Sequence, residues 1–173
     1  NLVTLSARSL VRAGGSSSSS FTIEGLLAKS VLIRAAGPAL GHLELAGFLA
    51  DPRLRVFDRN RVQIGTNNDW GTQVSFPAAN QAEATPVFAN GSKDAAVQLT
   101  LVPGTYDVVV DGNDGGDGYI LLQVYDLETN KPRLVMLTTR GYVGNGQDTV
   151  VVGFTIAGSR SRKILLRAPG QQL

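Results

Sequence analysis

Thr105-Tyr-Asp-Val-Val-Val-Asp111 puts Tyr106, Val108 and Val110 on one face and Asp107 and Asp111 on the other. Alternation with a period of two is the mark of a β-strand that has one face on a core and one in water. Turn chemistry frames it: Pro103-Gly104 opens the strand, and Asp111-Gly-Asn-Asp-Gly-Gly-Asp-Gly118 separates it from the next apolar run. Working outward with the same criteria predicts strands at 2–11, 20–25, 29–36, 53–58, 61–66, 95–102, 105–111, 118–127, 134–143, 149–157 and 162–168. In Arg53-Leu-Arg-Val-Phe-Asp58, Leu54 and Val56 share a face, whereas Val150–Phe154 is continuously apolar, as in strands covered on both sides. Helical signal is confined to short turns within 43–49 and 78–89. About eleven short strands with one or two helical turns predict an all-β fold, an antiparallel β-sandwich of jelly-roll type, with a barrel as the lesser option.

The chain also repeats itself. Asn1-Leu-Val-Thr-Leu-Ser-Ala-Arg-Ser-Leu-Val11 matches Arg133-Leu-Val-Met-Leu-Thr-Thr-Arg-Gly-Tyr-Val143, with Leu2/Leu134, Val3/Val135, Leu5/Leu137, Arg8/Arg140 and Val11/Val143 identical. One residue of length change later, Phe21-Thr-Ile-Glu-Gly25 matches Phe154-Thr-Ile-Ala-Gly158, and Val31-Leu-Ile-Arg-Ala-Ala-Gly37 matches Ile164-Leu-Leu-Arg-Ala-Pro-Gly170. Shared strand character would account for the apolar positions, but not for the arginines and glycines as well. The expected organisation is therefore one full unit at 1–132 and the first part of a second at 133–173, which packs on its own or a neighbouring unit. Gly14-Gly-Ser-Ser-Ser-Ser-Ser20 reads as a flexible hairpin loop, and its counterpart Gly144-Asn-Gly-Gln-Asp148 as a turn.

Composition limits the chemistry. The 173 residues hold 16 Lys+Arg against 14 Asp+Glu, one His and no Cys. Without Cys there are no disulfides, thiolate metal sites or cysteine nucleophiles. The net charge of +2 is small, and Arg8, Arg12, Arg34, Arg53, Arg55, Arg59, Arg61 and Arg133 are scattered among strands, so no nucleic-acid partner is expected. No apolar run approaches the ~18 residues of a spanning helix, so no membrane insertion is expected. His42 has no glycine-flanked nucleophile to serve and reads as a loop residue. The expectation is a protein that is not an enzyme.

Leu54-Arg-Val-Phe-Asp58 followed by Ile64-Gly-Thr-Asn-Asn-Asp-Trp70, and Leu101–Asp111 running into Gly118-Tyr-Ile-Leu-Leu-Gln-Val-Tyr-Asp126, resemble bacterial pre-peptidase C-terminal-type β-sandwich domains. Lys29–Leu40 with Ala50-Asp-Pro52, and Leu134–Gly158, resemble tandem repeats of large secreted or surface proteins of environmental bacteria. The resemblance implies a β-sandwich in an extracellular or cell-surface setting, as a module that accompanies enzymes or adhesins and is not itself catalytic.

Two readings of function follow. In the first, the chain is a non-enzymatic extracellular structural module that assembles with itself end to end, as a filament or repeat array, without a cofactor. Its assembly interface is then Leu134, Leu137, Val150, Val152, Phe154, Ile164, Leu166 and Arg167, and Arg34 and Arg167 pair with carboxylates at unit boundaries. In the second, it is an accessory ligand-binding module. Asp111, Asn113, Asp114 and Asp117 offer closely spaced oxygens to calcium, although Leu122 stands where an EF-hand needs its bidentate Glu. Asn68, Asp69 and Trp70, read as an exposed aromatic, form the corresponding carbohydrate site. Tyr106 and Tyr119 lie in strong strand patterns and are expected to pack in the core or across strands.

Overall fold

The computed structural model describes residues 2–75, 85–128, 133–159, 161 and 163–170. The all-β, antiparallel character read from the sequence is what it shows. Ten strands form one sheet: β1 (Leu2–Val11), β2 (Ser16–Glu24), β3 (Lys29–Ala36), β4 (Pro52–Phe57), β5 (Gln63–Asn67), β6 (Ala95–Leu101), β7 (Gly104–Gly112), β8 (Gly118–Asp126), β9 (Arg133–Arg140) and β10 (Val151–Ile156). Their order is β5-β4-β7-β2-β9-β1-β8-β3-β6, with β10 also paired to β1. The sheet curls until its two edge strands meet: Gly65 of β5 lies so close to Leu99 of β6 that a Cβ there would sit 3.1 Å from the leucine methyl. The result is a nearly closed barrel.

Alternation explains the filling. Leu5, Phe21, Ile23, Val31, Ile33, Leu54, Val56, Val97, Tyr106, Val108, Val110, Ile120, Leu122 and Val124 point inward and form the main core. The intervening residues of β3 and β8 face a second cluster of Leu32, Ala36, Leu40, Trp70, Val74, Phe88, Ala96 and Tyr125. β3 is therefore covered on both faces, and every residue from Val31 to Ala36 is buried.

Three expectations are corrected. The serine tract is not a loop: Ser16–Ser20 belong to β2, paired to β7 on one edge and β9 on the other, with Ser17 and Ser19 buried. Small hydroxyls fit there because each finds a partner; Ser9 Oγ and Ser17 Oγ, for example, are 2.7 Å apart. The described residues of 162–168 form no strand. The helical turn expected at 43–49 lies earlier, a 3-10 turn at Pro38–Leu43, with a second at Trp70–Thr72. Most of 78–89, the other helical expectation, lies outside the described residues. Among those described, no helix is long and apolar enough to cross a membrane.

Candidate functional site

The site that stands out is the joint between the two copies of the repeat. β1 and β2 are consecutive, yet they are not laddered to each other. Instead β1 pairs with β10, the second copy's version of β2, and β2 pairs with β9, the second copy's version of β1. The registers coincide. Leu5 faces Phe154, and Leu137 faces Phe21; Thr4 faces Thr155, and Met136 faces Thr22; Ser6 faces Gly153, and Thr138 faces Ser20; Arg8 faces Val151, and Arg140 faces Ser18. Even the irregularity recurs, since both ladders skip a residue, Val3 in one and its counterpart Val135 in the other.

Residues on the axis of this exchange meet their own counterparts. Leu2 bridges Leu134, and Leu10 bridges Tyr142. A Cβ on Gly141 would lie 3.1 Å from Cβ of Ser9, its equivalent in the first copy. Swapping the copies maps β1·β10 onto β9·β2 and each of these self-pairs onto itself, which is the pattern of an isologous two-fold interface, here built within one chain. The turns after β1 and β9 match as well: Gly14 and its counterpart Gly146 adopt φ of 68° and 65°, left-handed values that suit glycine.

Side chains add to the main-chain ladders. Ser19 Oγ and Thr139 Oγ1 are 2.9 Å apart, and Arg133 reaches Glu24 at 3.3 Å. Leu134 is buried and Leu137 packs against the main core. Of the residues expected at an assembly interface, these two are absorbed into the barrel. The others are not. Phe21 is fully buried, while its counterpart Phe154 is 40% exposed; Leu32 is fully buried, while Leu165 is 82% exposed. Val152, Ile164, Leu166 and Arg167 are likewise exposed, and Val150 is half-buried. β10 thus has one paired edge and both faces largely in solvent.

Arg34, the buried counterpart of Arg167, does not meet a carboxylate as expected. Its guanidinium donates to Gln123 Oε1 at 2.9 Å and to the Pro86 carbonyl at 2.5 Å, and lies 3.8 Å from the centre of the Phe88 ring. Burial lowers its pKa from the usual arginine value, opposed by Tyr125 and Asp94. The buried ion pair is elsewhere, between Lys29 and Asp126 at 2.5 Å.

The proposed calcium ligands are not brought together as a cage. Asp111 is clamped by Arg53, through Nε at 2.9 Å and Nη2 at 3.0 Å, and by Arg55 at 2.5 Å. Asp114 accepts the Gly116 N–H at 2.9 Å, Asn113 donates to Asp51 at 3.4 Å, and Asp117 is exposed. Each is explained by turn and strand chemistry. Among the described residues no group of three His, Cys, Asp or Glu is placed to hold a metal ion.

The carbohydrate platform is overturned by burial. Trp70 is 2% exposed and packs near Phe88, and its Nε1–H donates to the Ala89 carbonyl and Ser92 Oγ. Asp94 completes that corner: its carboxylate accepts the backbone N–H groups of Gly37 and Ala39, and its carbonyl accepts that of Trp70. A ring so placed cannot stack on a sugar. Asn68 is half-buried, and Asp69 pairs with Lys93 at 3.1 Å. Tyr106 is in the core as expected, and Tyr119 donates to Asp148.

No signal in composition or motif marks the joint as a site; only the repeat itself points to it. No family model matches the chain, and no curated protein matches it.

Proposed function

We propose that this protein is a non-enzymatic structural module of the cell surface or extracellular matrix, whose units join like to like through exchange of their terminal strands into a repeat array or filament. The observation that carries the reading is the coincidence of the β1·β10 and β2·β9 registers, including the skipped Val3 and Val135. A terminal segment that only capped a barrel would need to pair somewhere, but not as the two-fold image of the strands it meets. The extracellular setting is supported by the resemblance to secreted bacterial repeats.

The open edge and apolar faces of β10 drive association in this reading, because unpaired ladder groups next to exposed Val152 and Phe154 seek a neighbour. Sedimentation velocity over a wide concentration range tests it. The chain is expected to associate with rising concentration, and Val152→Lys with Phe154→Lys to hold it monomeric. A full chain that sediments as a compact monomer at hundreds of micromolar overturns the proposal.

A further inference from the structure

We infer that the outer edges of β10 and β9 form a docking surface for strands β7 and β8 (Gly104–Gly112 and Gly118–Asp126) of a second copy of residues 38–132. The inference rests on the joining reading above and goes further by naming the occupant and its register.

The first copy shows what each strand of the exchange binds. β2 has β9 on one edge and β7 on the other, and β1 has β10 on one edge and β8 on the other. The second copy reproduces half of this: β10 has β1, and β9 has β2, with β1 touching the other edge of β9 only at Leu134. The missing halves are the partners that β7 and β8 supply in the first copy. Transferring the first copy's register sets Phe154 opposite a second Tyr106, Thr155 opposite a second Thr105, and Leu137 opposite a second Val124.

The retained side chains fit that partner. Phe21 stacks on Tyr106 with ring centres 5.6 Å apart, and its counterpart is again Phe. Thr22 Oγ1 lies 2.9 Å from Thr105 Oγ1, and its counterpart is again Thr. Leu5 faces Val124, and its counterpart is again Leu; Arg34 donates to Gln123 of β8, and its counterpart Arg167 is again Arg. By contrast, Ser17 and Ser19, whose hydroxyls bond Ser9 and Thr139 within the joint, are replaced by Val150 and Val152. At these contacts the second copy has kept the side chains that β7 and β8 use, whereas Ser20, which donates to Asp107 of β7, is replaced by Gly153. The same β8 would cover the apolar segment 164–166, the counterpart of the buried Val31–Ile33 of β3, which pairs with β8.

The test lengthens the full chain by a second copy of residues 38–132 placed after Gly170. Hydrogen exchange at 151–156 is expected to slow at least tenfold relative to the original chain. With Thr155→Cys and Cys at Thr105 of the appended copy, a disulfide is expected to form as readily as in a reference chain carrying Thr22→Cys and Thr105→Cys. An appended segment that stays unfolded, or no gain in protection at 151–156, overturns the inference. So does absence of the Thr155 disulfide where the reference bond forms, because another register or another partner is then in place. Failure of the joining reading is separate: it shows as a monomeric original chain in sedimentation, whatever the lengthened chain does.

Discussion

Leu2 lies opposite Leu134, the residue that holds its place in the second copy of the repeat. Such a self-pair occurs only on the axis of a two-fold exchange, and the flanking ladders confirm it, since Leu5 faces Phe154 as Leu137 faces Phe21. The two members of each equivalent pair nonetheless differ in energetic weight, because one lies in a filled barrel and the other on an open strand.

Phe21 and Phe154 measure that difference. Phe21→Ala removes a fully buried ring stacked on Tyr106 and is expected to cost about 3–5 kcal/mol. Phe154→Ala is expected to cost less than about 1 kcal/mol, as for an exposed site. Urea denaturation of both variants checks this, and equal losses would show that the second copy carries a filled core of its own.

Arg34 separates burial of charge from burial of volume. Arg34→Ala opens a cavity beside Phe88 and strips Gln123 and the Pro86 carbonyl of a donor, for an expected loss of about 3 kcal/mol. Arg34→Met fills most of the space and removes a desolvated cation, so it is expected to stay within about 1.5 kcal/mol of the parent. If thermal melts place the two variants together, the guanidinium's hydrogen bonds outweigh the packing.

The 111–118 turn divides in the same way. Asp114→Asn with Asp117→Ser is expected to shift stability by a few tenths of a kcal/mol, because neither carboxylate is tied to another element. Asp111→Ala releases Arg53 and Arg55 and is expected to cost about 1 kcal/mol, the upper range for partly exposed pairs. Melting with and without calcium completes the test; a calcium-dependent rise that disappears in the double variant would restore the metal site.

Alkaline stability reports on Tyr106. Burial, with a smaller contribution from Asp58, raises its pKa above the usual 10, while its O–H donates to the Val102 carbonyl at 2.7 Å. The neutral phenol is thus favoured in the folded state. The sign follows: this stabilisation is complete below pH 10 and is lost as pH rises through the folded-state value. Tyr106→Phe is expected to lose about 1 kcal/mol at pH 8, and to decline less steeply than the parent above pH 10. Some decline remains, because the hydrogen bond to Asp148 raises Tyr119 as well. Parallel declines in the two proteins would place Tyr106 outside the effect.

Much of the fold was open to reading before any coordinates. Alternation in 105–111 and 53–58 marks half-buried strands because the pleat has a period of two, and the inward residues so identified, Val108, Val110, Leu54 and Val56, are in the core. The repeat was equally plain, because identical arginines and glycines recurring in the same order along both copies are a property of the chain alone. What could not be read there is which edges meet. A ladder is made by backbone groups that every residue shares, so nothing in 133–140 distinguishes pairing with β2 from pairing with a strand of its own copy. The serine tract illustrates the point: Ser16–Ser20 lack a strand's usual side chains, and become a strand because β7 and β9 occupy both edges. Trp70 followed a polar turn and looked exposed, yet Phe88 and the Ala89–Asp94 segment, distant in sequence, close over it. Local pattern determined which residues face a core; long-range contacts alone decided which core they share, and with which copy's strands β1 and β2 pair.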